Sequence, residues 1–152
     1  MAEKNRGKQF EQVIRQSFEK VQGVSIDRIP DQVTRYRGSS SNICDFVVYK
    51  YPYLYYLECK TIHGATFPFS NVRDNQWNGL LGKSNIDGVK AGLLVWWVDY
   101  DVTRYIPIDV LDPIKVSGRK SIRYDDTDYL YKEIHGEKKR VLFDYDMSDF
   151  FY

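Results

Sequence analysis

CDFVVYKYPYLYYLECKT, residues 44–61, reads as a β-hairpin. Cys44 to Lys50 is rich in β-formers, Tyr51-Pro52-Tyr53 punctuates it, and Leu54 to Thr61 is the return strand. Side chains alternate across a strand, so Glu58 and Lys60 share one face with Leu54 and Tyr56. A carboxylate and an amine in a mostly apolar strand are costly to bury without partners. Antiparallel pairing through the turn would bring Asp45 beside Glu58 or Lys60. Two carboxylates at close range repel, and a divalent cation relieves that repulsion. Hard oxygen ligands suit Mg²⁺ or Mn²⁺. Such an ion lowers the pKa of a bound water and stabilises charge on a phosphate. The spacing is Asp45, twelve residues, then Glu58-Cys59-Lys60. By itself it fits either a metal site or a surface ion pair on a hairpin.

Upstream, Gly7 to Gln22 reads as a helix. Phe10, Val13, Ile14, Phe18 and Val21 mark its buried face, and Asn5 is its expected cap. Glu11 falls on the side of Ile14 and Phe18 rather than facing open water. Val24 to Ile29 is a candidate strand, and residues 30–42 (PDQVTRYRGSSSN) a loop. Downstream, residues 64–70 form a second loop, and Ser70 is the expected cap of a helix from Asn71 to about Leu81. Ala91 to Tyr100 (AGLLVWWVDY) is a continuous apolar run, the mark of a central buried strand. Trp96 and Trp97 should face opposite sides of it. Thr103 to Ile108 follows as a strand, and residues 109–128 as a short helix, a basic turn and an acidic patch. Val141-Leu142-Phe143 and Phe150-Phe151 can pack back on the core. The order of helix, strands, helix, strands predicts an α/β fold, a mixed central sheet flanked by helices. The length of 152 residues suits one domain.

Net charge is only +1, so any nucleic-acid surface must be local. The basic residues do cluster: Lys4, Arg6 and Lys8; Arg35 and Arg37; and Lys115, Arg119, Lys120 and Arg123. The 13 tyrosines, 8 phenylalanines and 3 tryptophans can fill a core or serve wet interfaces. Two cysteines, Cys44 and Cys59, without a CxxC pattern, give no sign of a disulfide scaffold or zinc site. No signal peptide opens the chain, and no run approaches the roughly 18 apolar residues of a membrane span. A reducing cytoplasm and no membrane partner are expected.

Asn5-Arg6-Gly7, Phe10-Glu11, Asp45-Phe46, Glu58-Cys59-Lys60, Phe67-Pro68, Gln76 and Gly118-Arg119-Lys120-Ser121-Ile122-Arg123 occur in one order. This set resembles the RecU family of Holliday junction resolvases, within the PD-(D/E)xK nucleases, although Ile43-Cys44-Asp45 lacks the motif's proline. The resemblance runs from Asn5 to the Arg123 region. It implies a restriction-endonuclease-like fold, a homodimer, and symmetric nicking of four-way DNA junctions with Mg²⁺ or Mn²⁺. By resemblance, Asp45 and Glu58 bind metal with the Cys59 carbonyl, and Lys60 is the catalytic lysine. Glu11 completes the site, and Gln76 lies beside it. Arg6, Arg119, Lys120 and Arg123 contact DNA. The family's stalk before the catalytic aspartate is shortened here to residues 30–42, where Arg35 and Arg37 would meet the junction. That shortening suggests a phage-encoded relative. A restriction or repair nuclease, or a non-catalytic DNA-binding modulator of recombination, are the other readings. His63 and Trp77 fit a solvated loop and core packing better than roles in chemistry.

Overall fold

The computed structural model describes residues 2–30 and 42–152, with residues 2–4 as backbone only. Arg35, Arg37 and nearly all of the stalk-like loop lie outside the described residues. The side-chain amide of Asn42 donates to the Pro30 carbonyl, so the two ends of that segment meet.

The chain begins with helix α1 (Ala2–Glu19) and strand β1 (Ser25–Arg28). The hairpin β2 (Phe46–Lys50) and β3 (Tyr53–Ile62) follows. After β4 (Thr66–Pro68) and one 3-10 turn come α2 (Asp74–Ser84), β5 (Val89–Trp97), β6 (Val102–Pro107) and α3 (Ile108–Val116). The rest is short strands: β7 (Ser121–Arg123), β8 (Lys132–Glu133), β9 (Gly136–Lys139) and β10 (Leu142–Tyr145). Among the described residues, one mixed sheet runs in the order β1-β2-β3-β5-β6-β8. Its strands pair antiparallel except β3 with β5, which run parallel and place Glu58 opposite Leu93 and Lys60 opposite Val95. No helix among the described residues is long and apolar enough to cross a membrane.

Alternation along the strands builds two cores. Tyr55 and Leu57 of β3, and Leu94 and Trp96 of β5, pack with Phe10, Ile14 and Phe18 of α1. Leu93, Val95 and Trp97 pack on the other face with Trp77 and Leu80 of α2 and Leu111 of α3. The two tryptophans therefore do face opposite sides, each almost fully buried, and Trp77 is core rather than a stacking platform. The tail also returns as expected, Phe150 and Phe151 meeting Phe18 and Tyr55.

Two helix starts differ from the sequence reading. α1 begins at Ala2, so Asn5 lies inside the helix and caps nothing. Ala2-Glu3-Lys4 are strong helix formers and carry the helix upstream. It ends at Glu19, and Gly23, at φ 79°, turns the chain into β1. α2 begins at Asp74 rather than Asn71, with Arg73 in the cap position and Ser70 in the preceding 3-10 turn. Tertiary pairing sets that boundary. β4 lies antiparallel to β7, the Phe69 amide donates to the Lys120 carbonyl at 2.9 Å, and Val72 is buried. The backbone cannot turn helical until those bonds are complete.

Candidate active site

Asp45 stands one residue ahead of β2. Its amide donates to the Leu57 carbonyl at 3.1 Å, and its own carbonyl accepts from Ile29 at 2.8 Å. Its Oδ2 accepts the Cys59 amide at 2.9 Å. Backbone and side chain are thus both fixed, and the carboxylate is delivered to the middle of β3, where Glu58 sits. Glu58 points toward α2 and is only 4% exposed. Its Oε2 accepts from Gln76 Nε2 at 2.9 Å and pairs with Lys60 Nζ at 3.1 Å. Its Oε1 is buried with no partner among the described residues. A buried carboxylate oxygen without a donor is expensive, and it marks the position where a cation would be accommodated.

The electrostatics agree with the geometry. Burial first, and then the charge of Asp45, push the Glu58 carboxyl up to about 8. Glu11 reaches the same aspartate from α1. Burial and a hydrogen bond to Asp45 push it up to about 7, while Arg28, 3.6 Å away, pulls the other way. Asp45 is therefore flanked by two further acids, Glu58 from β3 and Glu11 from α1. Burial also raises both neighbouring thiols, Cys44 to about 12 and Cys59 well above the ordinary range, which disfavours the thiolate at both positions.

These groups fit Mg²⁺ or Mn²⁺. Among the described residues, no three His, Cys, Asp or Glu side chains come together in a group that could hold a metal ion. Mg²⁺ does not need three, because it is held by one or two carboxylates and keeps several waters. Asp45 and the free Oε1 of Glu58 would supply those two. The Cys59 carbonyl stays a ligand by resemblance alone.

The hairpin thus brings together Asp45, Glu58 and Lys60, and packing adds Gln76 and Glu11. Gln76 does two jobs. Its Oε1 accepts the Arg73 amide at 3.4 Å and its Nε2 holds Glu58. The candidate DNA contacts are more scattered. The Arg6 guanidinium lies 5.7 Å over the Trp96 ring. Trp96 is in register with Thr61, so Arg6 belongs to the end of the sheet where Lys60 sits. Arg119 is engaged by Asp126 and by Asp128 (2.9 Å), and Arg123 by Asp125 (3.1 Å). Lys120 is exposed and forms no ion pair among the described residues. His63 and the Gly64 amide are tied to Asp99, at 3.2 and 2.6 Å, which holds the loop after β3.

Comparison with solved structures finds the same architecture in Hjc of Archaeoglobus fulgidus, described as a Holliday junction resolvase from an archaeal hyperthermophile. The TM-score is 0.51 over 83% of this chain and 86% of that one, at 16% identity. The chain shares the fold of Hjc. At this identity the likeness is one of fold, a mixed sheet flanked by helices. No protein-family model and no curated protein matches the sequence.

Sequence reading missed two residues that shape the site. Arg28, the last residue of β1, approaches Glu11. Gly79 of α2 touches Ile43, because a Cβ there would stand 2.9 Å from the Ile43 Cβ. Nothing local signals either one, since both contacts join elements far apart in sequence.

Proposed function

We propose that this chain is a metal-dependent DNA endonuclease of RecU type that nicks four-way junctions in the cytoplasm as a homodimer. The observation that carries the nuclease reading is the paired carboxylate centre, with a buried, unpartnered Glu58 Oε1 beside a triply anchored Asp45. Asp45 and Glu58 would hold Mg²⁺ or Mn²⁺, which supplies an acidified water and charge neutralisation on the phosphate. The chain's own groups do the positioning. Gln76 fixes one oxygen of Glu58 and leaves the other free. Lys60, held at that same oxygen, sets a cation beside the reacting phosphate and can orient the attacking water. Glu11 borders the site from α1 and can accept a proton through water. Arg6, Lys120, Arg119 and Arg123 are proposed to hold the DNA backbone. Arg123 would exchange its exposed partner Asp125 for a phosphate, and such an exposed pair is weak, while Arg119 would turn to phosphate from exposed Asp128 and part-buried Asp126. Arg35 and Arg37 are proposed to meet the branch point.

The resemblance in motif order and the shared fold of Hjc favour a four-way junction over other substrates. Symmetric nicking needs two sites, and a twofold dimer supplies them. The test is nicking of four-way, Y-shaped and linear DNA, with Mn²⁺ or with EDTA. Asp45→Ala and Glu58→Ala should abolish cutting yet keep junction binding, because phosphate contacts supply most affinity. Cutting by either variant at saturating Mn²⁺ would refute the site. Equal cutting of linear duplex would point to a restriction or repair nuclease. Junction binding without cutting in the wild type would point to a recombination modulator.

A further inference from the structure

α1 carries a second stripe beside its buried one. Lys8, Glu11, Gln12 and Arg15 fall at i, i+3, i+4 and i+7 and share one flank of the helix. That flank faces β1, whose Arg28 lies opposite Phe46 in register. Between them is a cavity of about 510 Å³ lined by Lys8, Glu11, Gln12, Arg15, Arg28 and Phe46. Phe46 is fully buried and follows Asp45 directly. Glu11 and Phe46 both line the cavity, and Phe46 is the residue after Asp45, so cavity and carboxylate centre are neighbours.

Three cations face one carboxylate in this cavity, in a chain whose net charge is only +1. Their present partners are loose. Arg28 stands 3.6 Å from Glu11, and Arg15 pairs with Glu19 in an exposed i,i+4 bridge. An exposed pair such as Arg15–Glu19 contributes little and is readily exchanged. A phosphodiester oxygen would gain charge-assisted bonds from two arginine forks and a lysine without their crossing a buried apolar layer. We propose that this cavity holds a backbone phosphate of the cut strand, adjacent to the scissile one, and so sets the register of the strand over Asp45 and Glu58. Contacts of this kind position a duplex without reading its sequence. The proposal rests on the nuclease reading above and adds Lys8, Arg15 and Arg28 to its DNA contacts.

The test uses Lys8→Ala/Arg15→Ala. Both are exposed helix positions where alanine preserves the helix. Junction binding is measured by fluorescence anisotropy in EDTA across a salt series. The slope of log Kd against log salt should fall by about 1, close to the 0.9 expected for one lost phosphate contact. A control variant, Lys138→Ala/Lys139→Ala on β9, should keep the wild-type slope. In a second arm, single phosphates near the cut are replaced by neutral methylphosphonates. One such position should weaken wild-type binding and cost the double variant, which keeps Arg28, clearly less. The proposal is overturned if the slope is unchanged, if the control variant loses as much, or if every methylphosphonate costs variant and wild type alike. In those cases wild-type nicking survives and the nuclease reading stands. A wild-type protein that neither binds nor nicks DNA overturns both.

Discussion

Glu58→Gln should stabilise the metal-free protein while abolishing its activity. Folding moves this carboxyl from about 4.5 to about 8, through burial and the charge of Asp45. An acid raised on folding leaves stability intact below its unfolded value and removes it as pH climbs toward the folded value. At pH 7 folding must place a proton on a group that the unfolded chain leaves ionised. That cost grows at about 1.4 kcal/mol for each pH unit above 4.5 and reaches about 3 kcal/mol. Glutamine keeps the shape, still accepts from Gln76, and carries no charge to repel Asp45. Allowing for burial of the new amide, the gain should be about 2–3 kcal/mol at pH 7–8, roughly 5–10 °C in Tm for a chain of this size. At pH 5 it should shrink to less than about 1 kcal/mol. Thermal denaturation in EDTA at pH 5 and pH 8 reads this directly. Millimolar Mn²⁺ should raise the wild-type Tm and leave the variant unmoved, because binding to the native state adds stability. A Glu58→Gln protein melting below wild type at pH 8 in EDTA would refute the reasoning. So would a difference between the two that does not change with pH.

Three further outcomes are expected, two from the packing and one from the proposed symmetric nicking. Gly79→Ala should destabilise by about 1–3 kcal/mol despite alanine's better helix propensity, because the new methyl overlaps a β-branched side chain that cannot swing away. Ile43 lies two residues before Asp45, so the variant should also lose nicking rate, and unchanged melting and rate would show that the contact relaxes freely. Arg104 is 4% exposed, stacks 3.7 Å over Tyr131, and donates to the Asp126 carbonyl and Tyr129 hydroxyl, at 2.7 and 3.1 Å. Arg104→Ala should cost about 2–4 kcal/mol and speed amide exchange across residues 124–131, and protection equal to wild type there would contradict this anchoring. Light scattering should give a dimer at micromolar protein, and a monomer both alone and on junction DNA would remove the twofold arrangement.

Periodicity alone reached much of this molecule. Phe10, Ile14 and Phe18 lie in the core as their spacing required, the 91–100 run is a central strand as far as Trp97 before a 3-10 turn at Val98–Tyr100, and Trp96 and Trp97 part to opposite faces. Asp45 and Glu58 also lay within reach of sequence, because a short turn joins their strands and local pairing leaves little choice of partner. What periodicity states is which face a residue takes, never which distant surface that face will meet. Glu11 on Asp45, Gln76 on Glu58 and Arg28 on Glu11 all depend on how α1, α2 and β1 dock on the sheet. The delayed start of α2 came from the pairing of β4 with β7, which overrode Ser70 as a cap. The sequence set a basic run at 119–123 beside an acidic patch without saying whether they meet, and the chain folds Asp125, Asp126 and Asp128 back onto Arg119 and Arg123. The sequence determined the strands, the helix faces and the Asp45–Glu58 carboxylate pair, because those follow from alternation and a local turn. Tertiary structure alone decided the groups that tune and flank that pair, because each is brought in by non-local packing whose partner no local pattern specifies.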